Sequence, residues 1–116
     1  MEEAADPYKI LFWKNRNQWL YELARDKNLK PVSVRVALLF GTFIVPDVRE
    51  YVSPGYVWLM KNGNIGSRST LSSALDELVK NGYLEVTRRS HNPNRYCLPF
   101  DGEGEWKKPQ STISVP

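Results

Sequence analysis

Residues 62–86 read NGNIGSRSTLSSALDELVKNGYLEV, and the fold turns on how this stretch is parsed. Asn62-Gly63-Asn64 is a turn signal. Ser67 fits a helix N-cap, with a hydroxyl able to accept from a free N–H of the first turn. Leu71, Ala74, Leu75 and Leu78 then recur at spacings of three and four, which makes one apolar stripe on a helix. Asn81-Gly82 ends that helix, glycine being suited to a left-handed C-terminal cap. The opposite surface carries Arg68, Ser69, Thr70, Ser72, Ser73 and Asp76.

Downstream, YLEVTRR reads as one strand and NRYCLPF as another, joined by SHNPN as a hairpin loop. Arg88, Arg89 and Arg95 stand there against Glu85 alone, so positive charge is densest just after the helix. Upstream, Ser53 followed by Pro54 predicts a helix start, with a short helix from about Gly55 to Lys61. The first half of PVSVRVALLFGTFIV alternates and is β-branched, as a strand is. Its second half has the pattern of a buried helix. A helix beginning near Pro31 or Ser33 and ending before Pro46 is the preferred reading. Another helix is expected within 8–27, where Trp19, Leu20, Leu23 and Ala24 follow helical spacing and Asn15 or Asn17 would cap the start. The sequence from 101 to 116, DGEGEWKKPQSTISVP, predicts a flexible tail in which Trp106 has no assigned role.

The 116 residues suit one domain. Net charge is +3, a mild bias that points only weakly to nucleic acid. The single cysteine, Cys97, and single histidine, His91, exclude an internal disulfide and are too few for a protein-only zinc site. No third group orients them as a nucleophilic pair, so Cys97 reads as a buried strand residue and His91 as an exposed loop residue. Neither an enzyme nor a cofactor nor a metal is expected. The acidic N-terminus, MEEAAD, is not a signal peptide, and no apolar run is long enough for a membrane span. A cytoplasmic, nucleoid-associated location follows.

The order short helix, turn, amphipathic helix, basic hairpin matches a helix-turn-helix with its second helix in the major groove. Small hydroxyl side chains let such a helix approach DNA closely, and Arg68 could grip a guanine with two hydrogen bonds. The helix N-terminus favours a phosphate. Arginines on a β-ribbon suit the backbone or a minor groove. SRSTLSSALDELVKNGYLEVTRR, with the RYCL return strand, resembles the winged-helix superfamily of bacterial and phage DNA-binding proteins. Its relevant members are MarR- and GntR-like regulators and the helix-turn-helix domains of plasmid and phage replication proteins. The likeness covers about residues 53–99 and extends less closely from 31. It departs from the family in the bulky, aromatic YVWLMKNGN before the turn.

The resemblance implies an α+β, mostly helical fold: a winged helix-turn-helix over 31–100 with a C-terminal β-hairpin wing. Residues 1–30 would add an N-terminal helical extension that could dimerise through Trp13, Trp19 and neighbouring apolar residues. It implies DNA contacts from Ser67, Arg68, Ser69, Thr70, Ser72 and Ser73 on the recognition helix. Arg88, Arg89, His91, Asn92, Asn94 and Arg95 would supply the wing. The expected function is sequence-specific binding of double-stranded DNA, as a repressor-like regulator of a phage, plasmid or other mobile element. Two alternatives stand beside it: the DNA-binding domain of a replication initiator, and a winged-helix docking module that binds no DNA.

Overall fold

The computed structural model describes residues 6–46 and 51–109. Its elements, in order, are α1 (Pro7–Arg25), α2 (Pro31–Phe43), α3 (Tyr56–Gly63), α4 (Arg68–Lys80), β1 (Glu85–Thr87) and β2 (Arg95–Cys97). The fold is thus α+β and mostly helical. Among the described residues, no helix is long and apolar enough to cross a membrane.

α1 begins earlier than Asn15 or Asn17 would have it. Asp6 caps it, accepting from the Tyr8 amide at 2.9 Å, and Pro7 takes the first helical position, where its missing N–H costs nothing. Asn15 lies buried in mid-helix instead. α2 does run from Pro31, and Val36, Ala37 and Phe40 bury at helical spacing. Its N-terminus has no cap of its own. Glu77 of α4 supplies one, its Oε1 accepting from the Lys30 amide at 2.7 Å and from Ser33 Oγ at 2.8 Å. The first turn of a helix leaves free donors, and here a neighbouring helix satisfies one of them.

α3 starts after Gly55 rather than at the expected Ser53 cap. The reason is tertiary. Val52 is bridged to Tyr96 by two backbone hydrogen bonds, 3.0 and 2.8 Å, which hold this segment extended. The turn after α3 places Asn64 at φ 53°, the left-handed region that asparagine tolerates better than most residues. Ser67 then caps α4, its Oγ accepting from the Thr70 amide at 3.2 Å. Leu71, Ala74, Leu75 and Leu78 all bury, and α4 packs on α2 and α3. At its end Gly82 takes φ 81°, and the Tyr83 amide reaches back to the Leu78 carbonyl at 2.9 Å.

β1 and β2 pair antiparallel, with Val86 opposite Tyr96 and Thr87 opposite Arg95. Both strands are shorter than the sequence suggests, and the loop between them is longer. Val52 adds a single rung on the far edge of β2, so the extended segments lie in the order Val52, β2, β1.

Two further expectations need correction. Trp19 is 0% exposed, with its indole N–H donating to the Tyr83 carbonyl at 3.0 Å, so it cannot meet a second copy of the chain. Trp13, at 41% exposure, remains on the surface with Ile10 and Tyr21. The residues after Phe100 are not a free tail as far as Pro109. Asn15 Nδ2 donates to the Asp101 and Gly104 carbonyls, both at 2.8 Å, and Asn15 Oδ1 accepts from the Trp106 amide at 2.9 Å. Trp106 joins Phe12, Trp19, Tyr83 and Phe100 in an aromatic cluster and is only 8% exposed. Lys108 pairs with Asp26, whose side chain is 2% exposed. The physical reason is that α1 alone cannot cover its own aromatic face; the returning chain does so. Residues 110–116 of the expected tail lie outside the described residues.

Candidate nucleic-acid interface

The outer surface of α4 follows from the burial of its leucines. With Leu71, Ala74, Leu75 and Leu78 turned inward, Arg68, Ser69, Thr70, Ser73 and Asp76 are exposed and Ser72 is half-buried. Not all the hydroxyls are free. Ser67 Oγ lies 2.8 Å from Thr70 Oγ1 and 3.3 Å from Ser69 Oγ, so Ser67 and Thr70 first serve the cap. Ser69 and Ser73 are the hydroxyls best placed for a ligand. Arg68 extends over the ring of Tyr56 at 5.6 Å, within cation–π range.

The hairpin stands beside this face. Arg88, just past β1, approaches Asp76 of α4 at 4.0 Å. Both side chains are largely exposed, so the pair adds little stability; it marks how near the start of the hairpin lies to the outer face of α4. Arg89 is half-buried. Its Nε donates to the Pro93 carbonyl at 2.9 Å, its backbone N–H to Asn94 Oδ1 at 3.2 Å, and its Nη2 reaches Ser53 Oγ at 3.5 Å. Asn94 therefore closes the loop and turns its amide oxygen inward. His91, Asn92 and Pro93 form the exposed tip. Arg95 is exposed and stacks over Tyr51 at 4.5 Å.

On the other side of α4, a shallow groove brings Lys30 and Val32 against Ser69, Thr70 and Ser73. Lys30 is a cation that the sequence reading missed. Nothing local could have flagged it, because its neighbours on α4 lie some forty positions away and come near it only when α2 and α4 pack together. Tyr51 and Tyr56 were missed for the same reason. The surface thus runs from Lys30, across the hydroxyl face and Arg68, to the arginines of the hairpin.

Cys97 and His91 do not meet. Burial, with Glu85 close by, pushes the Cys97 thiol up to about 11, so it is protonated near neutral pH. Burial likewise raises the Tyr96 phenol. Among the described residues, no group of three or more His, Cys, Asp or Glu side chains is placed to hold a metal ion. Compared with known proteins, the chain is matched by no protein-family model, no curated protein and no solved structure.

Proposed function

We propose that the protein is a sequence-specific binder of double-stranded DNA, of winged helix-turn-helix type. α3 and α4 would be the helix-turn-helix, the β1–β2 hairpin the wing, and the Val52 rung the short edge strand beside it. The observation that carries this reading is the juxtaposition of the hydroxyl-rich face of α4 and the arginine-bearing hairpin, where Arg88 lies 4.0 Å from Asp76. α4 would enter the major groove with its N-terminal turn first, Arg68 reading a base and Ser69 and Ser73 meeting phosphate or base edges. Arg88, Arg89 and Arg95 would hold the flanking backbone or minor groove, and Lys30 a phosphate on the opposite side. The protein acts by occupying its site, without catalysis, as a repressor-like regulator of a mobile element would.

The test is selection of bound sequences from random duplex DNA, followed by affinity measurement over a range of salt. Each phosphate contact steepens the dependence of log K on log salt by about 0.9. Arg89→Ala with Arg95→Ala is expected to weaken all duplexes alike and flatten that slope. Arg68→Ala is expected to blur the preference at one base pair by about 1–3 kcal/mol. A chain that binds no duplex even at low salt would refute the reading and favour a protein-docking role.

A further inference from the structure

The segment 51–56, YVSPGY, touches three of the four arginines assigned to DNA. Tyr51 lies under the Arg95 guanidinium at 4.5 Å, and Tyr56 under that of Arg68 at 5.6 Å. Between them, Ser53 Oγ lies 3.5 Å from Arg89 Nη2. Val52 pins the segment to β2 through its two backbone hydrogen bonds with Tyr96, the residue next to Arg95. Side chains alternate along an extended chain, so tying Val52 to β2 directs Tyr51 and Ser53 to a common side. Tyr51 is itself 47% exposed. A ring that exposed adds little to the core, and it lies against Arg95.

We infer that the segment 51–56 is a positioning element, in which the rings of Tyr51 and Tyr56 pre-orient Arg95 and Arg68 for nucleic acid. This rests on reading the surface as a DNA interface. An arginine that clamps a phosphate or a base loses rotamer freedom on binding, and one already laid on an aromatic face loses less. The tyrosines thereby raise affinity without touching DNA. Tyr51, the closer stack, acts on the phosphate contact. Tyr56 acts on base preference through Arg68.

The experiment is a double-mutant cycle read by fluorescence anisotropy with a random-sequence duplex at low salt. Tyr51→Leu is expected to weaken binding about 2–5-fold, the range that an exposed cation–π contact supports. It should leave the salt slope unchanged, because no charge is removed. Tyr51→Phe, which keeps the ring, restores wild-type binding. In an Arg95→Ala background, Tyr51→Leu has no further effect, whereas in an Arg68→Ala background it keeps its full effect. Independently of DNA, the Arg95 Nε–H resonance of the free protein should lose its ring-current shift in Tyr51→Leu.

Tyr51→Leu weakening binding equally with and without Arg95 overturns the inference, and so does Tyr51→Phe behaving as Tyr51→Leu. Either result leaves the DNA-binding reading standing, since the wild type still binds duplex. If the wild type binds no duplex at all, both fall together.

Discussion

Asn15→Asp should undock the C-terminal segment. The side chain sits buried in the middle of α1 and makes three hydrogen bonds to backbone groups 86 to 91 residues away. A carboxylate of the same shape can still accept from the Trp106 amide. It cannot donate, so the Asp101 and Gly104 carbonyls, each 2.8 Å away, would face a negative oxygen instead of an N–H. Two lost hydrogen bonds cost about 1–3 kcal/mol. The charge adds to that, up to a ceiling set by the alternative of taking up a proton. From an ordinary carboxyl pKa of about 3.9 to pH 7, at about 1.36 kcal/mol per unit, the ceiling is about 4 kcal/mol. Peeling the segment away limits the loss further, since it exposes Trp106 and frees Lys108 but leaves the helical body in place. A net destabilisation of about 2–4 kcal/mol at pH 7 follows, a large share of the roughly 5–15 kcal/mol that holds a small domain.

The assay is thermal unfolding followed by circular dichroism, with wild type in parallel. At about 4 °C per kcal/mol for a chain of this size, Tm falls by about 8–16 °C. The pH dependence has a definite sign. Burial raises the introduced carboxyl's pKa in the folded state above its unfolded value. The variant's deficit is therefore smallest at low pH and grows as pH rises through the folded pKa. A variant melting within about 2 °C of wild type, with no pH-dependent gap, would show that Asn15 does not hold residues 101–106.

Asp26 provides a second pH signature. Burial pushes its carboxyl up, but hydrogen bonds from Lys108, Tyr83 and the Asn28 amide outweigh this and hold it below the ordinary carboxylate range. A depressed folded pKa means stability that is present above the unfolded value and lost as pH falls through the folded one. Asp26→Asn should thus melt lower than wild type at pH 7, and the gap should begin to narrow only as pH falls below about 4; a gap that does not narrow at all as pH falls into the acid range would refute it. Gly41→Ala is expected to destabilise although alanine is the better helix former. A Cβ there would lie 2.7 Å from Cζ3 of the fully buried Trp19. Overpacking of about 1–3 kcal/mol outweighs a propensity gain of about 1 kcal/mol, so urea unfolding should give a net loss, and a gain would show that the ring has room to shift.

Where a local signal was complete, the sequence was enough. α4 could be read end to end because its cap, its apolar stripe and its glycine stop all lie within sixteen residues and agree. Burial of that stripe then dictates which side chains face outward, so the outward placement of Arg68, Ser69, Thr70 and Ser73 was legible too. The hairpin was legible from its turn residues and arginines, although its strands proved shorter. The start of α3 was misread because Ser53-Pro54 is a valid local cap signal that a long-range backbone pairing overrides.

What the tertiary structure alone decided is where separate stretches meet. A polar run rich in glycine and proline carries no sign that Asn15 will gather its carbonyls, nor that Trp106 will close an aromatic cluster begun on α1. Trp19 was expected at a dimer interface and lies in the core, since hydrophobicity drives burial without naming the surface that provides it. Lys30 and the two tyrosines joined the candidate interface only through contacts with residues that lie apart from them along the chain. Helix periodicity and caps act over a few residues and leave a mark in the sequence, whereas the pairing of distant surfaces depends on shapes that exist only once those elements have packed.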